Sequence, residues 1–280
     1  ENGDTTTLGR GGSDTTAVAL AFALKADVCE IYSDVDGIYT ADPRIVPRAH
    51  KLAQIDIESM LELSSSGAKI LYIRAVEFAR RHKVPLRVRS SFSTDPGTLV
   101  YTASAGDDME EPIVSGVATD DTQSKVTVIG LPDRPGKAAE VFQIVSEAGA
   151  NIDMIVQNVS TDEDKLSDIS MTLPHSDRHK VVQALKDRQE EVGFENITYD
   201  DEIGKLSVVG AGMKTSSGVS AKLFGALAKA GINIEMISTS EIRISVVTRA
   251  DQLKEATRIV HSAFELDAAD TAIIYAGTGK

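Results

Sequence analysis

The first hundred residues alternate between helical and extended hydrophobic patterns. The Ala- and Leu-rich stretch from Thr15 to Lys25 predicts a helix, and the apolar stretch from Val28 to Tyr32 predicts a strand. Further along, the spacing of apolar residues predicts a helical region that begins at Ile57, a helix at Ile70–His82 and a strand at Val84–Arg89. Alternating helices and strands indicate an α/β layered domain with a largely parallel sheet.

The second part of the chain contains an internal duplication. The segment Val126–Gly130 is matched by Leu206–Gly210, 80 residues later. After a two-residue insertion, Asn151–Ile155 is matched by Asn233–Ile237. Each copy predicts the order strand, helix, strand, strand, helix, strand, which is the ferredoxin-like βαββαβ arrangement. In the first copy the later elements are predicted at residues 167–172, 178–190 and 197–199.

The composition is that of an ordinary globular protein, with 42% hydrophobic and 25% charged residues. No apolar run approaches the roughly 18 residues that a membrane span needs, and no signal peptide is visible. The single cysteine, Cys29, lies in a predicted strand. We expect it to be a buried strand residue without a catalytic role, and a chain without an internal disulfide favours a reducing cytoplasm.

The negative charge is concentrated in the second part of the chain. The net charge of −13 divides into −1 for residues 1–100, with 12 basic and 13 acidic residues, and −12 for residues 101–280, with 17 and 29. Such an acidic surface argues against nucleic acid or an anionic membrane as a partner. Any phosphate-binding site is therefore expected in the first hundred residues.

A glycine-rich segment, Thr5–Thr16, comes immediately before the first predicted helix. Its glycines allow the backbone to approach a ligand closely, and the start of the helix offers free N–H groups to an anion. Arg10 adds a guanidinium that can bind a carboxylate with two hydrogen bonds. Ser13 and Asp14 fall at the start of the helix, where the alternative interpretation is that they cap it. The segment is predicted to bind phosphate or carboxylate.

A second polar segment, Ser33–Arg44, follows the first predicted strand. In open α/β sheets, ligands bind beyond the carboxyl ends of strands. The aspartates Asp34, Asp36 and Asp42 could hold a cation or a ribose, or could simply form turns. A calcium loop is not expected, because no glutamate follows at the required position. Arg44 could neutralise the phosphates of a nucleotide.

Five short segments occur in this order along the first hundred residues: Thr6–Asp14, Ser33–Tyr39, Asp42–Arg44, Gly67–Ile70 and Pro96–Thr98. Together they resemble the aspartate kinases of the amino-acid kinase family, and the repeats resemble the paired ACT modules that follow the kinase domain in actinobacterial-type enzymes. The resemblance covers essentially the whole chain. It implies the C-terminal half of an amino-acid kinase α/β sandwich, followed by two ferredoxin-like ACT domains.

The same resemblance predicts the domain limits. The kinase part would occupy residues 1–101, and the small, acidic stretch at residues 102–112 would be a linker. The first ACT domain would occupy residues 124–200. The second would be nested around it, from residues 113–123 and 201–280, with Ile113–Thr119 adding a strand to it.

The activity that the resemblance implies is transfer of the γ-phosphoryl group of Mg-ATP to the β-carboxylate of L-aspartate, the first step of lysine, threonine and methionine biosynthesis. Such a transfer needs mainly positioning and charge neutralisation. Asp14 would be the catalytic carboxylate, while Arg10, Gly11, Gly12 and Ser13 would bind aspartate. For Lys69, the alternative is that it is simply an exposed lysine at the start of a helix, without a ligand. The implied ATP site consists of Ser33, Asp34, Tyr39, Arg44, Lys69 and Ile70, and no metal ligand is assigned to the protein itself.

The chain departs from the family at its beginning. The family's N-terminal Lys-x-Gly-Gly-Ser-Ser loop is absent from these 280 residues, and the sequence opens at Glu1 directly before the glycine-rich segment. We therefore expect the natural chain to extend upstream of Glu1, and the chain as given to be incomplete for kinase activity. The alternative is a non-catalytic regulatory subunit that binds amino-acid effectors and oligomerises.

In each ACT module the family binds a free amino acid between a turn and the facing strand of a partner module. Here the turn is Leu131–Gly136 and the strand opens at Asn151–Asp153. Backbone groups would bind the α-carboxylate, and Asp133 or Asp153 could meet the ammonium group. The alternative is that Pro135 and Gly136 merely start a helix that Asp133 caps.

The implied effectors are lysine and threonine, and the implied assembly is a homo-oligomer or an α/β-type complex formed through the ACT domains. The residues that would border the effector sites are Asp133, Gly136, Ala138, Asn151, Asp153, Gln157 and Ser160 in the first repeat, and Asn233, Ile234 and Ser240 in the second.

Overall fold

The computed structural model describes residues 8–9, 11–102, 112–159 and 165–275. Within these residues the strands form three four-stranded sheets. One belongs to the N-terminal region, and each of the other two belongs to one copy of the duplication, called here the first and the second unit. Among the described helices, none combines the length and the apolar character that crossing a membrane requires.

The N-terminal region is an α/β layer whose described helices and strands follow the predicted alternation. The strand order is β1-β3-β4-β2, in which β1 with β3 and β2 with β4 run parallel and the central pair runs antiparallel. The elements are α1 (Gly12–Leu24), β1 (Cys29–Ser33), β2 (Gln54–Asp56), α2 (Ile57–Ser65), α3 (Ile73–His82), β3 (Leu86–Ser90) and β4 (Thr98–Tyr101).

The helix predicted to start at Ile70 begins three residues later, at Ile73. Leu71, in the connection before it, is 2% exposed and belongs to the apolar core. Burial of this side chain holds the connection in a non-helical conformation. Ile70, in the same connection, lines a cavity that is described below. Cys29 is buried at the start of β1, as predicted, and burial followed by the charge of Asp14 raises the pKa of its thiol. The thiol is therefore protonated at neutral pH and unreactive.

The first unit forms the antiparallel sheet predicted from the repeat, with helices packed on one face. Its strand order is β7-β8-β6-β9. Alternate residues of β6 and β8 point into a core with α4 and α5. The elements are β6 (Gln123–Pro132), α4 (Lys137–Glu147), β7 (Ile155–Val159), β8 (Leu166–Pro174), α5 (His175–Asp187), α6 (Gln189–Val192) and β9 (Asn196–Asp200).

The second unit takes its fourth strand from the segment that precedes the first unit. Its strand order is β11-β12-β10-β5, so β5 lies beside β10 as β9 lies beside β6. The described elements are β5 (Gly116–Asp120), β10 (Ile203–Val209), a short 3₁₀ turn (Ala211–Lys214), α7 (Val219–Lys229), β11 (Met236–Thr239), β12 (Arg243–Arg249) and α8 (Leu253–Ala263).

The strand predicted after the last helix of the second unit is not formed among the described residues. The chain turns back to the N-terminal region instead, where Asp267 bridges to Ala49 and Ile274 bridges to Val35. The edge of β10 is available to β5, which is the strand anticipated at residues 113–119, and β5 pairs there antiparallel. The domain limits themselves remain predictions.

The second unit shares its core with the N-terminal region. Ala118 from β5 and Val209 from β10 pack in the same apolar cluster as the α/β layer. The N–H group of Val117 donates to the carbonyl of Thr40 at 2.7 Å. The two parts are therefore joined by buried apolar contacts and by backbone hydrogen bonding.

The two units contact each other through equivalent positions of the repeat. Lys125 of the first unit pairs with Glu235 of the second at 2.6 Å, and Lys205 of the second pairs with Asp153 of the first. Between these reciprocal ion pairs lies a small apolar cluster that contains Met154 and Met236, together with Ile203 and Val247. The duplication thus generates a pseudo-twofold contact within one chain.

Candidate functional site

A cavity of about 320 Å³ lies where the N-terminal region meets the second unit. Its size is at the lower end of the range for small-molecule sites. One side is formed by the end of β1 and most of the segment that follows it, up to residue 45, and by residues 67–70 between α2 and α3. The other side is formed by β5 with Asp121 and by the start of α8. The cavity is therefore at the carboxyl end of a strand, where α/β sheets place their ligands.

All the residues predicted to form a nucleotide site line this cavity. Four of them come from the end of β1 and the segment after it, and two come from the connection after α2. The two segments are more than twenty residues apart in the sequence, and the fold brings them to one place. The residues are Ser33, Asp34, Tyr39, Arg44, Lys69 and Ile70.

Arg44 is held by carboxylates of its own loop. One guanidinium nitrogen lies 3.1 Å from Oδ2 of Asp34, and another lies 3.9 Å from Oδ1 of Asp42. The backbone N–H of Arg44 also donates to Oδ1 of Asp42 at 2.9 Å. The Arg44 side chain is 47% exposed, so these pairs orient it rather than remove it from solvent. Its charge is already partly balanced before any ligand enters.

Tyr39 supplies a neutral hydrogen-bond donor. Burial raises the pKa of its phenol to about 12, and the nearby charges of Asp36 and Asp95 add to the shift. The hydroxyl group therefore stays protonated throughout the physiological range. It can donate to a ligand oxygen without adding a negative charge to a cavity that already contains aspartates.

Gly67 sets the position of the segment that carries Lys69 and Ile70. Its φ of +111° is a conformation that L side chains rarely adopt, and a Cβ atom at this position would lie 2.2 Å from the carbonyl oxygen of Thr119. The backbone after α2 therefore packs directly on β5. This close approach brings Lys69 to the cavity as an exposed side chain.

The sequence did not predict that the C-terminal segment reaches this site. The Tyr275 hydroxyl donates to Oδ2 of Asp36 at 3.1 Å, and the Tyr275 N–H donates to the carbonyl of Asp34 at 3.0 Å. The Tyr275 ring stacks on Phe92 with centroids 5.9 Å apart. Phe92 and Tyr275 are far apart in the chain, and no sequence motif or regular spacing connects them with the segment after β1. Only the fold reveals that they support the segment after β1.

The second unit also contributes residues that the sequence did not single out. They lie in β5, just after it, and on one face of α8, and no local pattern distinguishes them from other residues of the repeat. The residues of this unit that line the cavity are Val117, Ala118, Thr119, Asp121, Ala250, Leu253, Lys254 and Thr257.

The glycine-rich segment starts α1, but its described residues are not among those that line the cavity. Arg10 lies outside the described residues. Gly11 is the N-cap with a φ of +71°, and neither Ser13 nor Asp14 caps the helix through its side chain. The Ser13 hydroxyl is 3.5 Å from Oδ1 of Asp14. The alternative that these two side chains cap the helix is therefore not supported by the structure. The predicted roles of Gly12, Ser13 and Asp14 in ligand binding stay predictions.

The predicted effector turn ends in the same way in both units. Gly136 precedes α4 with a φ of +98°, and Gly218 precedes α7 with a φ of +95°. Among the residues that the structure describes, no atom lies within 4 Å of a Cβ placed on either glycine, so both helix starts are open there. Asp133 is exposed and does not cap α4, and Ala138 lies half-buried in its first turn.

Asp153 has a partner within the chain. Its carboxylate pairs with the ammonium of Lys205, which is 1% exposed, so Asp153 serves the contact between the units in this structure. Ser160 lies outside the described residues. The remaining predicted effector residues flank or belong to the edge strands β7 and β11, and their positions are exposed apart from half-buried Ile234; they are Asn151, Gln157, Asn233, Ile234 and Ser240.

Comparison with protein families divides the chain in the same way as the fold. The model of the amino acid kinase family matches residues 1–90, and two models of the ACT domain match residues 125–190 and 206–264. The chain is 56% identical to an aspartokinase of Corynebacterium glutamicum over 280 residues, which is 100% of this chain and 66% of that relative. It thus spans less than two thirds of the relative's length.

Solved structures of aspartokinases resemble both the whole chain and its second part. Escherichia coli aspartokinase III in complex with aspartate and ADP has a TM-score of 0.78 and 28% identity, covering 94% of this chain and 58% of that one. The same enzyme with lysine and aspartate has a TM-score of 0.69 and 29% identity, covering 94% and 57%.

A structure of aspartokinase alpha and beta subunits matches with a TM-score of 0.51 and 41% identity, covering 54% of this chain and 99% of that one. The order of the matched family models, one kinase part followed by two ACT modules, agrees with the order of the three sheets in the fold. The similar proteins are aspartokinases as well. The chain belongs to the aspartokinase family.

Proposed function

We propose that this chain is part of an enzyme that transfers the γ-phosphoryl group of ATP to the β-carboxylate of L-aspartate. The observation that carries the proposal is that all the predicted nucleotide residues, drawn from two distant segments, line one cavity at the end of β1. The relative crystallised with aspartate and ADP supports the same pair of substrates.

The cavity offers what a nucleotide needs. Arg44 and Lys69 are cations for phosphate oxygens, the Tyr39 hydroxyl is a neutral donor, and Ile38 and Leu63 add apolar surface. Among the described residues, no group of three His, Cys, Asp or Glu side chains could hold a metal ion. Mg²⁺ would enter with the nucleotide and neutralise part of the charge of its phosphates.

The glycine-rich segment would hold the acceptor. Arg10 would bind a carboxylate of aspartate, with the backbone of Gly11 and Gly12 and the hydroxyl of Ser13 beside it. Asp14, in the first turn of α1, would orient the cationic groups around the transferred phosphoryl group. The chain's own residues would then act through positioning and charge neutralisation, which account for most of the catalysis in phosphoryl transfer.

The ACT modules would bind free amino acids as regulatory effectors. We place lysine and threonine as effectors at the open helix start before α4, between Gly136, Ala138 and the edge strands of the units, because free N–H groups there suit an α-carboxylate. The complex of Escherichia coli aspartokinase III with lysine and aspartate supports lysine as one effector. Assembly through the ACT modules would follow the pattern of the alpha and beta subunits.

Calorimetric titration of the 280-residue chain with Mg-ADP tests the nucleotide site. Arg44→Ala should weaken binding at least tenfold, because a charged hydrogen bond to phosphate is worth about 1.5 to 3 kcal/mol. Arg80→Ala is the matched control, since Arg80 on α3 pairs with Glu58 on α2 and does not line the cavity. Binding that is unchanged by Arg44→Ala would reject the site.

Turnover is tested in a protein extended upstream of Glu1 with the part of the Corynebacterium glutamicum relative that this chain does not match. Asp14→Ala should nearly abolish turnover, whereas Arg10→Ala should mainly raise the KM for aspartate. Near-normal turnover of the Asp14 variant would remove that residue from the catalytic site.

A second candidate function is a regulatory subunit that only binds amino acids and oligomerises. It is favoured by the match of 99% of a solved aspartokinase subunit chain to 54% of this one. The same titration separates the two. A purely regulatory chain would bind lysine or threonine and would not bind Mg-ADP.

A further inference from the structure

We propose that the second ACT module forms part of the nucleotide site itself, and that Lys254 of this module binds the phosphates of the nucleotide. The inference rests on the proposed nucleotide site and extends it to a module that is otherwise assigned only to regulation. It starts from the cavity, of which this module supplies one side.

One face of α8 and the start of the short 3₁₀ turn before it, Ala250–Gln252, border the cavity. Leu253 and Thr257 are buried and are four residues apart, and the Thr257 hydroxyl donates to the Leu253 carbonyl at 2.7 Å. Ala250 lies one turn before them. Lys254 therefore shares this face and stays exposed, with its ammonium free to extend into the opening.

The charges around the cavity leave Lys254 available for an anion. Arg44 is already paired with Asp34 and Asp42. Within the described part of the chain, Lys69 and Lys254 form no hydrogen bond or ion pair. A nucleotide carries several negative charges, so one partly balanced guanidinium is not sufficient to neutralise it. The two lysines supply the remaining positive charge from opposite sides of the cavity.

The place of Lys254 on its helix supports the same conclusion. It lies in the first turn of α8, where the partial positive charge of the helix N-terminus disfavours a cation. A phosphate in the cavity would compensate both the lysine and the helix end. Without an anion, a lysine at this position has no favourable electrostatic interaction with the helix end.

Direct contacts fix α8 relative to the nucleotide segment. The Nε of Arg258 donates to the Ile45 carbonyl at 2.9 Å, and Nε2 of His261 lies 2.8 Å from the Thr40 hydroxyl. Both contacts reach the segment that carries Tyr39 and Arg44. The position of Lys254 in the site therefore depends on how the module docks, which couples nucleotide affinity to the state of the ACT module.

The test compares Lys254→Gln with Lys229→Gln in the 280-residue chain. Lys229 is an exposed lysine of the same module, at the end of α7, and does not line the cavity. By calorimetry, Lys254→Gln should weaken Mg-ADP binding about tenfold, the size expected for one lost charge-assisted hydrogen bond. Lys229→Gln should stay within about twofold, and Lys254→Arg should restore most of the affinity.

Adenosine, which has no phosphate, should bind wild type and Lys254→Gln equally. If Lys254→Gln binds Mg-ADP as Lys229→Gln does, or weakens adenosine to the same extent as Mg-ADP, the phosphate contact is rejected while the proposed site stands. If the wild-type chain does not bind Mg-ADP at all, both proposals fail. Unchanged thermal unfolding of the variant shows that the effect is local.

Discussion

The two ACT modules share one chain plan and differ in what surrounds them. The first takes its fourth strand from its own end, as β9, and its core is made of its own residues. The second takes β5 from upstream, and two of its strand residues, Ala118 and Val209, pack in the core of the kinase part. The same fold therefore forms an independent core in one copy and packs against the kinase part in the other.

We infer from this difference that the two modules have different roles in the proposed enzyme. The helix starts at Gly136 and Gly218 are both open among the described residues, and the reciprocal ion pairs join the first module to the second. The second module borders the cavity that we propose as the nucleotide site. In the regulation proposed above, an effector bound at the first module would act through the reciprocal ion pairs and then through α8 and β5.

The largest expected effect concerns the docking of the second module. Gly67→Ala would place a Cβ atom 2.2 Å from the Thr119 carbonyl oxygen and force a non-glycine residue to a φ of +111°. We expect a loss of about 4 kcal/mol in the free energy of unfolding, because a backbone clash adds to the strain. Urea denaturation measures it.

Gly231→Ala is the control for the strain alone. Its φ is +72°, and no atom of the described part of the chain lies within 4 Å of the new Cβ. We expect this variant to lose about 1 kcal/mol. Equal losses in the two variants would mean that β5 does not pack on residue 67 as described.

The second prediction compares the reciprocal ion pairs between the modules. Asp153→Asn would leave the ammonium of Lys205, 1% exposed, without a counter-charge, whereas Glu235→Gln would release Lys125, which is 25% exposed. We expect losses in unfolding free energy of about 3 kcal/mol for the first and about 1 kcal/mol for the second, because a buried charge cannot turn to solvent. If both variants lose the same amount in urea denaturation, the two pairs are equivalent and the asymmetry is rejected.

The sequence predicts those features of the fold and the site that neighbouring residues determine, and it fails where contacts between distant residues decide. The repeat predicted the ferredoxin-like order, and the segments around Ser33–Arg44 and Lys69 predicted residues that meet in one cavity. Their signals are turn-forming and charged residues at the ends of strands and helices, which local chemistry determines. The start of α3 was placed too early because burial of Leu71, a tertiary effect, overrides helical spacing.

Other features depend on contacts between distant parts of the chain. Lys254 and Tyr275 are ordinary surface residue types, and nothing in their neighbourhoods points to a nucleotide. Asp153 was predicted to face an effector, and its pairing with Lys205 depends on how the two modules pack. The replacement of a final strand by β5 follows from the same cause, since the edge of β10 accepts any strand that the fold brings there.

The third prediction separates the modules as effector sites. Ala138 lies in the first turn of α4, half-buried beside the open start of the helix, and Ser220 is its equivalent on α7. In the extended protein, Ala138→Val should raise the concentration of lysine plus threonine needed for inhibition about tenfold, because β-branching fills the space that a ligand would use. Ser220→Val should change it less, and uninhibited turnover should be preserved in both. Equal inhibition of wild type and Ala138→Val would remove the effector from this helix start.

The smallest expected effect is a pH dependence of the contact between the second module and the kinase part. His261 is 0% exposed, with Nε2 2.8 Å from the Thr40 hydroxyl and Nδ1 3.2 Å from Oδ1 of Asp267. Burial lowers the pKa of this imidazole, and the carboxylate of Asp267 opposes the shift only in part. The folded protein therefore holds His261 neutral, while the unfolded chain protonates it near its ordinary value of about 6.5.

The sign follows from proton binding. As the pH falls below about 6.5, the unfolded state binds a proton that the folded state does not, so stability falls with acidification by at most about 1.4 kcal/mol per pH unit. Asp267 does not interfere above pH 5, because a hydrogen bond from Ser262, together with His261, lowers the pKa of its carboxyl. Urea denaturation at pH 5.5 and 7.5 should show a smaller pH-dependent loss in His261→Gln than in wild type, whatever the variant's stability at pH 7.5. An identical loss in both proteins would place the titrating group elsewhere, and the docking contact would then be insensitive to pH.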